Sequence, residues 1–161
     1  MPKLIKDSQI VEDNWLIIDA DFEGDLPEQE VIVPLAYWTE NRDALASRSN
    51  VGVWLDSHQE PSAIASDVKS LPVIAINFPK FADGRGYSYA RLLRERFNYE
   101  GEIRAIGDVL QDQLFYMKRC GFNAFAVRAD RDIEQALNGL SDFSNSYQAG
   151  CDNPIPQFRR R

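Results

Sequence analysis

The chain offers little with which to bind a metal. Its 161 residues include two cysteines, Cys120 and Cys151, and one histidine, His58. That excludes a disulfide framework, and it excludes zinc or haem centres built on several histidines. Long hydrophobic runs are missing too, since no stretch approaches the ~20 apolar residues of a membrane span. The opening residues, "MPKLIKDSQIVEDNW", lack the apolar centre of a signal peptide. A reducing, cytoplasmic setting is the resulting expectation. Basic residues are in deficit, with 18 Lys and Arg against 25 Asp and Glu, a net charge of −7 and a pI near 4.7. General attraction to nucleic acid or to a membrane surface is therefore not expected. Neither GxxxxGK[ST] nor GxGxxG occurs, so no cofactor is named by a nucleotide-binding motif.

What is present suits an ordinary folded domain. The hydrophobic fraction of 44% supplies a core, and the charged fraction of 27% is unremarkable for a globular chain. The length predicts one domain over residues 1–145, followed by a polar, Pro-containing tail over 146–161. Charge is unevenly spread. Residues 1–79 carry 5 basic and 14 acidic side chains, whereas residues 80–131 carry 10 basic and 7 acidic. The positive segment is the natural place to look for a small anion.

Apolar runs alternate with helical patterns along the chain. Strands are predicted over 14–19, 31–34, 51–56, 72–78, 101–107 and 122–127. "PVIAINF" (72–78) is nearly continuously apolar, the mark of a strand buried on both faces. Helices are predicted over 35–48, 60–71, 88–97, 108–120 and from 132. Ser88 is a candidate N-cap, Asp108 and Gln111 resemble a capping box, and Gly121 is placed to end its helix in a left-handed conformation. Leu110, Leu114 and Met117 form the apolar stripe of the 108–120 helix. The first 13 residues give no clear pattern. About five consecutive βα units imply an α/β fold with a mainly parallel sheet, either open and Rossmann-like or a partial barrel. In both, functional groups gather at the carboxyl ends of the strands.

Two turns fall at such ends. "FPKFADGRGYSYAR" (78–91) places Lys80, Asp83, Arg85 and Ser88 after one strand, and "IRAIGDVLQDQ" (103–113) brings Arg104, Asp108, Asp112 and Gln113. Gly84 and Gly86 permit close backbone approach, and Arg85 can clamp an oxyanion through two donors. Lys80, Arg85, Ser88 and Arg104 are the candidate anion-binding groups, with Asp83, Asp108, Asp112 and Gln113 in support. Each has a structural alternative. Asp83 can pair with Arg85 in a tight loop, and Arg104, inside a strand, requires a carboxylate such as Asp108, Asp112 or Glu102. Cys120 reads as a buried packing residue and His58 as a solvated loop residue. Trp15, Trp38 and Trp54 read as core or interface.

The block from Phe78 to Phe125, "FPKFADGRGYSYARLLRERFNYEGEIRAIGDVLQDQLFYMKRCGFNAF", closely resembles the signature of a bacterial family of unknown function. Members of that family carry the label of oxidoreductases involved in sulfite reduction, by association with the genes of assimilatory sulfite reductase. "VIVPLAYW" and "VGVWLD" fit the same family more loosely. The resemblance implies a pathway rich in small anions and carries over no catalytic residue. Two expectations follow. The chain is an accessory protein that docks on sulfite reductase or its electron donor, consistent with the lack of any cofactor signature. Alternatively it is a small enzyme or carrier that holds a sulfur oxyanion or phosphorylated metabolite at the DGRGYS and RAIGD turns.

Overall fold

The computed structural model describes residues 3–79, 84–128, 130–138 and 140. Strands β4 (Val31–Pro34), β5 (Val51–Leu55), β6 (Val73–Phe78), β7 (Glu102–Gly107) and β8 (Ala124–Phe125) lie side by side in chain order and run parallel. A short β3 (Leu16–Ile17) adds to β4, also parallel. Each connection steps to the next neighbour in the same direction, so right-handed crossovers put all the helices on one face. The result is an eight-stranded, mostly parallel sheet curled into a half-barrel, the partial-barrel alternative rather than the doubly wound one.

Strand alternation divides the side chains between two faces. Val53, Ile74, Ile76, Phe78, Ile103, Ala105 and Phe125 point towards the helices and form the main core with Trp38, Leu93, Leu114, Met117 and Phe122. Ile32, Val73, Ala75 and Ile106 point to the opposite, inner face of the curl, where Trp15 and Trp54 cover them. Burial on both sides explains why "VIAINF" is apolar at every position but Asn77, next to its end.

The helices differ from the sequence expectation in several details. The 35–48 helix is two short pieces, α1 (Leu35–Glu40) and α2 (Arg42–Leu45). The 60–71 segment forms two 3₁₀ turns, Pro61–Ile64 and Val68–Ser70, and no α-helix. Helix α3 (Arg85–Arg91) begins with Gly84 in the cap position, so Ser88 lies inside the helix and does not cap it. It runs on into a π-helical turn, Leu92–Arg96. Helix α4 (Gln111–Cys120) starts after an extended Leu110 with no side-chain cap, so Asp108 and Gln111 form no capping box. Its end is as expected: Gly121 has φ 123°, and Leu114 and Met117 are buried. A further helix, α5, spans Ile133–Asn138.

The first 13 residues hold an unforeseen hairpin. β1 (Lys3–Lys6) and β2 (Gln9–Glu12) pair antiparallel around Asp7 and Ser8, both with positive φ, and β1 adds antiparallel to β8. Two successive positive-φ residues match the twist that a two-residue hairpin loop requires. Beyond the hairpin, Asp13 reaches the inner face.

Candidate functional site at the carboxyl ends of the strands

The two turns singled out from the sequence follow neighbouring strands, because β6 pairs with β7 and Phe78 stands opposite Gly107. The groups around them form a row across the carboxyl ends of β5 to β8. After β5, the Asp56 carboxylate accepts from the Ser57 N–H at 2.8 Å and from Asn77 Nδ2 at 3.1 Å. Asn77 is the next-to-last residue of β6, so this bond ties two strand ends together. Ser57, only 7% exposed, accepts at Oγ from Arg85 Nη2 at 3.1 Å. Its carbonyl accepts from the Tyr89 hydroxyl at 2.7 Å. Arg85 and Tyr89 lie one turn apart on α3, so the start of this helix is fastened to the end of β5.

The other half of the row surrounds Asp108. Its N–H donates to the Phe78 carbonyl at 2.7 Å, and its carboxylate accepts from Arg128 Nη1, also at 2.7 Å. Arg128 follows β8 and donates in addition to Asp130 at 3.0 and 2.9 Å. Gly107 makes this tight turn feasible. Its φ is 89°, and a Cβ there would collide with Asn77 Oδ1 and come within 2.6 Å of the Phe78 carbonyl oxygen. Asn77, Pro79, Gly107, Asp108 and Arg128 border an open cleft of about 430 Å³.

Of the candidate anion-binding groups, Arg85 stands at this rim, exposed. Ser88 is exposed on the next part of α3 and borders a separate groove with Glu60, Leu92 and Arg96. Lys80 and Asp83 lie outside the described residues. Arg104 does not join Arg85. It is 1% exposed, and its register partner on β6 is Ala75, which places its side chain on the inner face, away from α3. There it donates to Glu102 at 2.8 Å and to Asp13 at 2.9 Å, and Lys6 pairs with Glu102 at 3.1 Å. A guanidinium removed from water demands such partners. Glu102 was a foreseeable partner; Asp13, 91 residues away in sequence, was not. Among the supporting residues, Asp108 is at the rim. Asp112 and Gln113 lie in the first turn of α4, where Asp112 borders a small hollow with Arg131 and Gln135.

Five rim residues were missed: Asp56, Ser57, Asn77, Tyr89 and Arg128. Four of them directly end or follow a strand, so the strand-end rule applied to every predicted strand would have raised them.

A smaller hollow of about 280 Å³ lies at the opposite end of the sheet, bordered by Asp7, Lys118, Phe122, Asn123, Phe125 and Arg94. The Arg94 guanidinium is engaged there in holding backbone. It donates to the carbonyls of Gly121, Tyr99 and Gly101 at 3.0, 2.8 and 2.8 Å. This end binds the fold together, whereas the carboxyl rim presents polar side chains to solvent.

Cys120 is buried, and burial raises its thiol pKa against the opposing pull of Arg91, so it stays protonated and packs as expected. His58 is exposed. Among the described residues no cluster of three or more His, Cys, Asp or Glu could hold a metal ion, and no helix is long and apolar enough to cross a membrane.

A model of bacterial proteins of unknown function, DUF934, matches residues 52–158, about two thirds of the chain. The chain belongs to that family. The match includes β5 to β8, and with them every rim group named above. No curated protein and no solved structure matches the chain.

Proposed function

We propose that this protein binds a small oxyanion at the carboxyl-end rim, in the service of assimilatory sulfite reduction. The observation that carries this reading is the Arg85–Ser57 pair, 3.1 Å apart between the start of α3 and the end of β5. A guanidinium and a hydroxyl on adjoining elements can both turn donors to one tetrahedral or pyramidal anion. Ser57 accepts from Arg85, so its own hydroxyl proton can still be donated. The Tyr89–Ser57 and Asn77–Asp56 bonds hold this pair in place before any ligand arrives, and a site built in advance loses less entropy on binding. Sulfite, sulfate and phosphate all suit such donors, and the link to sulfite reduction selects sulfite as the first to test. The oxidoreductase label carried by the family belongs to the same reading, with electrons supplied by a partner.

The test is thermal unfolding in the presence of sulfite, sulfate, phosphate and a chloride control at equal ionic strength. A ligand at 100 times its Kd adds ~2.7 kcal/mol to stability. Stabilisation by sulfite over chloride, absent in Arg85→Ala and in Ser57→Ala, supports the reading. Equal behaviour of all the salts would sink it.

A second reading, that the protein docks on sulfite reductase or its electron donor, finds support at the far edge of the sheet, where β3 leaves apolar side chains exposed.

A further inference from the structure

We propose that the β3 edge is a docking surface for a partner protein that presents a basic, extended segment and adds it to the sheet as a further strand. This gives the docking reading a surface and does not depend on the anion site.

Among the described residues, β3 is the last strand on its side and is bonded to β4 alone. Leu16 N–H donates to the Glu30 carbonyl at 3.0 Å and Ile18 N–H to the Ile32 carbonyl at 2.9 Å. Alternate residues of a parallel strand bond to opposite sides, so Ile17 turns its N–H and C=O to the open edge. Leu16 and Ile17 are 42% and 37% exposed, two of the three large hydrophobic residues on the described surface. Proteins normally blunt such an edge by keeping it very short, or with lysine, proline or a bulge, and β3, at two residues, has only its shortness. Here "WLIID" contains neither lysine nor proline.

The segment after β3 sets the chemistry of the partner. Residues 19–30 include Asp19, Asp21, Glu23, Asp25, Glu28 and Glu30 and no Lys or Arg, and all six carboxylates are exposed. The segment is nevertheless anchored. Phe22 and Leu26 pack on the core, the Tyr37 hydroxyl donates to the Gly24 carbonyl at 2.9 Å, and Arg48 Nη2 donates to the Pro27 carbonyl at 3.1 Å. Apolar residues are therefore held inward and carboxylates outward, beside an edge whose Ile17 backbone groups meet no partner among the described residues. A second copy is the wrong occupant. A two-fold contact pairs a patch with itself and would set these carboxylates against their own duplicates. A segment with Lys or Arg on one face and β-branched residues on the other satisfies backbone, apolar surface and charge together.

The probe is a fluorescein-labelled 12-residue peptide alternating Lys with Val, compared with its Glu–Val counterpart. Each is titrated with the full-length protein and followed by anisotropy. The Lys–Val peptide should bind saturably and the Glu–Val peptide should not. Ile17→Pro removes the edge N–H, and Asp19→Asn/Asp21→Asn/Glu23→Gln/Asp25→Asn removes exposed charge. Each should weaken binding about tenfold, the equivalent of one charge-assisted or backbone contact. Equal binding of the two peptides, no binding of either, or Lys–Val binding indifferent to Ile17→Pro would overturn the proposal. So would a dimer in sedimentation that Ile17→Pro converts to monomer, because a second copy would then own the edge. Since no anion enters these titrations, they can fail while the rim reading stands, and the converse also holds.

Discussion

Arg85 and Arg94 stand at opposite ends of one helical segment, and their surroundings have nothing in common. Arg94 spends its donors on three backbone carbonyls at the amino-terminal end of the sheet, and its guanidinium carbon lies 5.7 Å from the centre of the Tyr99 ring. Arg85 meets a serine hydroxyl at the carboxyl rim and is exposed. One arginine closes chain ends that would otherwise leave buried carbonyls unsatisfied, and the other is placed where a solute can reach it. Arg104 extends the contrast. It lies within a strand of the positive segment, yet it neutralises carboxylates on the inner face. A positive stretch of sequence is thus three different things in space, and only burial and partners tell them apart.

The contrast makes quantitative predictions. Arg104→Ala should cost the most, ~3–5 kcal/mol, because it strands the mostly buried Asp13 and leaves Glu102 with the half-exposed Lys6 alone. Urea denaturation measures this, and a loss under ~1 kcal/mol, as for a surface pair, would contradict it. Arg94→Ala comes next at about 3 kcal/mol, since hydrogen bonds from a charged donor to otherwise orphaned carbonyls are lost. Lysine at that position should recover only part, having no planar fork.

Tyr99 sharpens the picture of the amino-terminal end through pH. Its hydroxyl donates to the Leu71 carbonyl at 2.8 Å, and burial, against the opposing effect of Arg94, raises its pKa well above the ordinary value of 10.0. The folded state therefore keeps a proton that the unfolded state releases. The associated stability is complete below pH 10 and drains away as pH climbs towards the folded value. Unfolding curves from pH 8 to about pH 11 should show this decline in the wild type and a shallower one in Tyr99→Phe. The smallest effect on stability belongs to Arg85→Ala, within ~0.5 kcal/mol, as for an exposed side chain.

Much of the architecture was legible because local chemistry dictated it. "VIAINF" can be little other than a doubly covered strand, and Gly121 ended α4 where a side chain would strike Arg94. The hairpin at the start was missed because its Asp7–Ser8 turn adopts positive φ without glycine, the usual signal. The 60–71 segment has helical spacing but closes as two 3₁₀ turns, with Ile64 and Val68 each reaching the core from a separate turn. For the rim, the strand-end rule found Arg85 and Asp108. It also grouped Arg104 with them, whereas that side chain lies on the inner face, because a side chain in a strand declares its face only once its neighbours are known. Ser57 became visible as Arg85's partner only through the β5–β6 pairing.

The decisive experiment is calorimetric titration of sulfite into the wild type and into Arg85→Ala, with thermal unfolding of both. The account predicts one saturable site in the wild type and none in the variant, at nearly equal melting temperatures. Undiminished binding by Arg85→Ala would place the anion, if one is held, away from the rim and contradict the account at its centre.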